Sequence, residues 1–317
     1  KIEPLSPDYQ LTLKAKDWNQ MKEGTKKPLE KVLSNYIQKN RWFRGKAKKI
    51  SNVSIVDTIP LLNGAINSQM VILETQYIEG KNEQYVLPLS ITTGDEISEI
   101  KYKHPESLVA HVEVDGHEGL LYDGSYNKSV RDLLLKTMTQ KGRIKNKDAA
   151  VVGVPGKKIA SKVKKSELPL SSRVLLAEQS NTSILYDNRF FFKMYRSPEE
   201  GNNPELEIIK TLTESTDFRN FPTFAGALEY QKKGAENAAL GILVDFIPNE
   251  GNAWEFIQGS IDRYFDRIIE DKEYLMSDKP LNTNDLVQKV GEEKMQDLLG
   301  PFFIEMIKKL AQRTAEM

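Results

Sequence analysis

The chain has 317 residues, enough for about two or three domains, and its 45 basic residues balance 45 acidic ones, so no global field draws it toward DNA or anionic lipid. Cysteine is absent, which excludes disulfides, thiolate zinc sites and a cysteine nucleophile and suits a reducing cytosol. The longest apolar stretch, AALGILVDFIP, is too short to span a bilayer, and KIEPLSPDYQ lacks a signal peptide's apolar core. The expectation is a cytoplasmic protein whose partners include neither membrane nor nucleic acid.

Residues 1–27 read as a linker or the tail of an upstream domain, with YQLTL as a strand. From Pro28, placed in a first helical turn, Leu29, Val32, Leu33, Tyr36 and Ile37 form the stripe of an amphipathic helix. The helix runs into NRWFRGKAKK, where Gly45 is expected to supply a positive φ at the exit. Aromatics among five basic residues also fit a nucleic-acid patch, but the balanced charge argues against it. Three strand-like runs follow, SNVSIVDTIPLL, SQMVILETQYIEG and EQYVLPLSI, the last two joined by the turn EGKNE. Helix plus meander make a small α+β cap over 28–105.

Residues 106–250 form the next expected unit. It opens with a strand pair whose turn, VDGHEG, holds Asp115, His117 and Glu118; a polar surface turn is favoured there over a metal site, because three ligands would have to converge without support. The helix SVRDLLLKTM comes next, then the lysine-rich stretch 141–167, read as a solvated linker because no aromatic interleaves its nine basic residues. RVLLAE and SILYD read as strands around the loop QSNTS, and a two-residue DN turn leads into the strand RFFFKMYR. A helix opens at Asn203-Pro204, cap and first-turn proline. FAGALEYQ and AALGILVDFIP are two more strands, and 251–317 turns helical.

In RFFFKMYR, alternation puts Phe190, Phe192 and Met194 on one face and Phe191, Lys193 and Tyr195 on the other. A strand this apolar is interior, where an unpaired ammonium costs several kcal/mol, so Lys193 needs an anion; the alternative is an edge strand whose lysine snorkels to water. Strand, polar loop, strand, turn, strand with lysine, acidic helix and two strands is the order of a protein-kinase-like N-lobe. No G-x-G-x-x-G is present; Ser180, Asn181, Thr182 and Ser183 stand in its place as candidate phosphate ligands. With Ile208, Ile209 and Leu212 marking the buried helix face, a 100° step favours Glu205 over Glu207 as partner of Lys193.

Together NRWFRGKAKK, LAEQSNTSILYDNRFFFKMYR, NPELEI, FAGALEY and FIPNEGNAW resemble the maltokinase family, in order from about residue 28 to the end. The resemblance implies ATP-dependent phosphorylation of maltose to maltose 1-phosphate, with Mg²⁺, on a fold similar to aminoglycoside phosphotransferases. It implies an α+β architecture: a small antiparallel-sheet-plus-helix cap, a protein-kinase-like N-lobe, and the first helices of a helical C-lobe from 251 onward. SPDYQLTLKAKDW is similar to the end of a trehalose synthase, implying such a domain as partner in cis or in trans. By the same resemblance Lys193 contacts the α- and β-phosphates under the Ser180–Ser183 loop. Its N-P-x-x-E pattern places the partner at Glu207, and we take Glu207 ahead of Glu205 because helix termini are often irregular. Asp245, Phe246 and Ile247 become a hinge holding adenine through backbone hydrogen bonds, with Leu243 near the gatekeeper position.

The family's H-G-D-x-H loop and later D-F-E do not occur in this sequence, so no catalytic or metal residue is expected here and the piece by itself is expected to be inactive. A non-catalytic regulatory or docking module attached to a trehalose synthase is the alternative reading.

Overall fold

Two sheets organise the chain, and the alternation of apolar residues decides which face of each is buried. The computed structural model describes residues 10–62, 64, 66–175, 180–270 and 292–317. The chain divides into two units, Lys1–Phe246 and Ile247–Met317.

The first sheet starts with β1 (Gln10–Leu13), after which come α1 (Ala15–Asn19) and α2 (Glu23–Lys39). The stripe Leu29, Val32, Leu33, Tyr36 and Ile37 is buried as its periodicity predicts, but α2 begins earlier than expected and holds Pro28 inside it. β2 (Ile50–Pro60), β3 (Gln69–Tyr77) and β4 (Glu83–Thr93) form the antiparallel meander; α3 (Glu96–Lys103), β5 (Leu108–Val114) and β6 (His117–Asp123) follow. The sheet order is β1-β5-β6-β4-β3-β2, so strands on both sides of the 28–105 range join the meander. Trp42 and Phe43 pack with the α2 stripe against Val71, Leu73, Leu87 and Leu121.

Gly45 departs from expectation: its φ is −78°, not positive. What the site requires is a missing side chain, because a Cβ there would lie 2.2 Å from the Tyr77 hydroxyl and 2.6 Å from the Phe43 ring. The nearby Glu83 carboxylate accepts hydrogen bonds from the Tyr77 and Tyr85 hydroxyls and from Lys48, at 2.5–2.6 Å.

The second sheet is introduced by α4 (Lys128–Thr139), capped by Asn127, whose side-chain oxygen accepts from the Ser129 N–H at 2.9 Å. The presumed linker then folds as β7 (Arg143–Lys145), β8 (Ala149–Pro155) and the short α5 (Ile159–Lys162). Its lysines other than Lys162 are exposed, while Ala149, Ala150 and Val151 are buried. β9 (Ser172–Leu175), β10 (Asn181–Tyr186), β11 (Phe190–Tyr195), α6 (Pro204–Ser215), β12 (Phe224–Lys232) and β13 (Ala238–Asp245) complete the unit, in sheet order β7-β8-β12-β13-β11-β10-β9. Asp187 and Asn188 take φ of 51° and 49° in the two-residue turn between β10 and β11, as a twist-matched hairpin requires.

Ile59, Met70, Ile72 and Val86 of the first sheet share one core with Phe190, Phe192 and Met194 of the second and with Val130, Leu134 and Met138 of α4. The architecture is therefore α+β: a helix-covered, mostly antiparallel six-stranded sheet followed by a seven-stranded antiparallel sheet with α4 and α6. Among the described residues, the second unit contains α7 (Ala253–Glu270), α8 (Glu292–Leu299) and α9 (Pro301–Glu316), with Gly300 at φ 84° separating the last two. Within it, Phe256 packs against Phe302 and Phe303 at ring distances of 5.8 and 5.9 Å. Among the described residues, no helix is long and apolar enough to cross a membrane.

Candidate phosphate-binding site on the second sheet

β11 lies between β10 and β13, so Lys193 is on an interior strand and the edge-strand alternative falls away. Phe190, Phe192 and Met194 are buried in the shared core, leaving Phe191, Lys193 and Tyr195 on the opposite face. There α6 packs through Leu206 and Ile209 against Phe191, Tyr195, Ile242 and Val244. Asn203 starts α6 by accepting from the Leu206 N–H at 3.0 Å, which fixes the residues of the first turn relative to the sheet.

Glu205, in that first turn, reaches Lys193. The ammonium donates to both carboxylate oxygens at 3.0 Å, and the Tyr195 hydroxyl donates to Oε2 at 3.0 Å. The pairing corrects the order of preference drawn from the resemblance: Glu207 is exposed, and the 100° periodicity was the better guide. One of the residues taken to mark the buried face behaves otherwise, since Ile208 is 54% exposed and Leu206 and Ile209 carry the packing. Burial, and after it the neighbouring Glu205 charge, pushes the Tyr195 phenol well above its ordinary pKa, so its hydroxyl remains a donor.

The loop residues divide differently from expectation. Gln179, the first residue of the QSNTS loop, lies outside the described residues. Ser180 is exposed and its hydroxyl oxygen accepts from the Asn181 side chain at 3.0 Å. Asn181, Thr182 and Ser183 belong to strand β10 instead of a loop. Register places Ser183 opposite Lys193 and Asn181 opposite Tyr195, on one face; Thr182 is opposite Met194, facing the core. Thr182 accepts from Arg196 Nε at 2.8 Å and so leaves the set of phosphate candidates. Ser183 is fully buried, and its hydroxyl has no hydrogen-bond partner among the described residues. An orphaned hydroxyl opposite a lysine suits a site that acquires an acceptor on binding.

The hinge expectation changes as well. The backbone N–H groups of Asp245 and Phe246 already donate, to Thr223 O at 3.0 Å and Arg189 O at 2.9 Å. The Asp245 side chain accepts from Thr223 and from Lys162, the latter supplied by the segment misread as linker. Leu243 is buried in the shared core, and Ile247 is half exposed. Two of the three backbone donors assigned to a base are thus engaged within the fold.

The sequence reading missed two residues. Tyr195 carries its signal in the alternation, which sets it beside Lys193. Arg196 falls on the apolar face, where a cation demands a partner; it is 1% exposed and donates to Asp123 Oδ2 at 2.5 Å and Ser125 Oγ at 3.0 Å. The turn at Asp115, His117 and Glu118 joins β5 to β6, and Asp115 accepts from the Ala15 N–H at 3.3 Å. Among the described residues no group of three or more His, Cys, Asp or Glu is placed to hold a metal ion.

Among solved structures, the chain is similar to a glucosamine kinase in complex with glucosamine, ADP and inorganic phosphate, at 11% identity and a TM-score of 0.40, over 73% of this chain and 44% of that one. It is also similar to crystal form A of a glucosamine kinase, at 12% identity and a TM-score of 0.38, over 69% of this chain and 40% of that one. The chain thus spans less than half the length of these proteins. Residues 36–126, which hold Trp42, Phe43, Gly45 and most of the first sheet, match the family described as the maltokinase N-terminal cap domain.

Proposed function

We propose that these residues are the cap and nucleotide-binding lobe of a cytoplasmic maltokinase-type phosphotransferase. The donor is ATP and the acceptor is maltose, phosphorylated at its anomeric hydroxyl. The observation that carries the reading is the ion pair between Lys193 and Glu205, on an interior strand flanked by strands in the kinase-like order. Two of the ammonium's three N–H donors go to Glu205, which holds the third toward a phosphate oxygen. Ser183, buried and with no partner for its hydroxyl among the described residues, supplies a second donor on the same face.

In the transfer, the bond from the γ-phosphorus to the β,γ-bridging oxygen breaks and a bond to the sugar oxygen forms. The hydroxyl proton passes to a base, which the family carries in an H-G-D-x-H motif that this sequence lacks. The described residues do not supply a Mg²⁺ site, so no step is assigned to a metal here. A trehalose synthase domain, in cis or in trans, is the protein partner that the resemblance favours.

Isothermal calorimetry of the protein with ATP tests the reading. Lys193→Ala is expected to weaken binding about 10- to 100-fold, the range of a hydrogen bond to a charged group. Equal affinity for the variant and the native protein would refute the nucleotide role.

A further inference from the structure

Glu205 is held from two sides. Lys193 approaches from two positions before Tyr195 on the same strand face, and the Tyr195 hydroxyl meets the same oxygen, Oε2, that the ammonium also touches. The lysine nitrogen lies 5.9 Å from the centre of the Tyr195 ring, and the ring itself is 7% exposed among Phe224, Ala227, Ile242 and Val244. Glu205 needs such a hold, since its side chain is 39% exposed in the first turn of a helix, with room to swing toward water.

We propose that Tyr195 is a positioning residue of the phosphate site: its hydroxyl anchors Glu205, so that the carboxylate continues to aim Lys193 when phosphate arrives. The proposal rests on the nucleotide reading above. The physical reason is a competition between anions. A phosphate brought to Lys193 places a second negative charge beside Glu205, and the two anions repel while sharing one ammonium. A carboxylate tied only to the lysine can turn away, carrying the ammonium or releasing it to a poor geometry. The phenol ties it to the rigid strand instead. The phenol can hold this proton at any physiological pH, and its ring is fixed by packing on several sides. A tyrosine serving the core alone would have no need to spend its hydroxyl on this carboxylate.

The test measures affinities of the protein for a non-hydrolysable ATP analogue and for adenosine, which has no phosphate. Variants are Tyr195→Phe, Glu205→Ala and the pair, with Lys193→Ala as reference. Tyr195→Phe is expected to weaken the analogue about 3- to 10-fold, a fraction of the full worth of a charged hydrogen bond. It should leave adenosine unchanged and add no further loss in the Glu205→Ala background, since a residue acting through Glu205 has nothing to hold once Glu205 is gone. Native affinity in Tyr195→Phe, an equal loss for adenosine, or the same loss without Glu205 each overturns the proposal. Lys193→Ala separates the two failures: if it binds the analogue as the native protein does, the nucleotide reading itself fails. Thermal melts identify any variant that is unfolded. Should Tyr195→Phe be one, Glu205→Gln, which keeps an acceptor for the phenol but weakens the hold on Lys193, is expected to lose affinity for the analogue alone; equal losses for analogue and adenosine would overturn the assignment.

Discussion

Arg196 and Asp123 form an ion pair at 2.5 Å with the two side chains 1% and 3% exposed, joining the end of β11 to the end of β6. The guanidinium also donates to Ser125 and Thr182 and lies 5.3 Å from the Trp42 ring. Removing one partner strands a buried charge, so Asp123→Ala is expected to cost about 3–5 kcal/mol, whereas replacing both partners by apolar residues should cost less. Urea denaturation of the single and double variants measures the difference.

Ser183→Ala is expected to separate stability from binding. A buried, unsatisfied hydroxyl costs about 1–3 kcal/mol, and removing it relieves that cost. The variant should therefore melt at the native temperature or slightly above it, while binding ATP more weakly than the native protein. A lower melting temperature together with native affinity would show that the hydroxyl belongs to the fold instead of the ligand.

Gly45→Ala should destabilise by steric conflict alone. The backbone at φ −78° accepts any residue, but the new Cβ would sit 2.2 Å from the Tyr77 hydroxyl. Overpacking of this kind costs about 1–3 kcal/mol. Chemical denaturation of the variant gives the value directly.

Glu83 makes the cap acid-sensitive. Burial pushes its carboxyl pKa up, but hydrogen bonds from Lys48, Tyr77 and Tyr85 outweigh burial and hold it below the ordinary 4.5. A carboxylate with a depressed pKa in the folded state contributes stability that is fully present above its unfolded pKa and is lost as pH falls through the folded one. Stability should therefore fade on acidification from about pH 5, and Glu83→Gln should flatten that acid limb. Melting temperatures of both proteins across this range provide the check.

Local chemistry made much of the second sheet readable. The left-handed Asp187-Asn188 turn, the Asn203 cap and the two-faced strand around Lys193 all announce themselves within a few residues. Glu205 was legible in the helical period, because the first turn of α6 is regular. What escaped depends on distant pairing. Val151 and Gly153 sit between lysine-rich flanks, and only their register with Tyr230 and Leu228 makes them a strand. Thr182 looked like a loop hydroxyl, yet Met194 opposite it and Arg196 beneath it draw it inward. The constraint on Gly45 comes from Tyr77, more than thirty residues away, and no local pattern records it.

The core shared by Ile72, Val86, Phe192 and Met194 has a consequence for inheritance. A cut between cap and lobe would bare an apolar wall on each piece, so neither half is portable in the way of a beads-on-a-string module. Swapping caps between relatives would succeed only where the recipient's wall has matching shapes and volumes. The two parts are thus constrained to change in step, with each new side chain on one wall judged by the other.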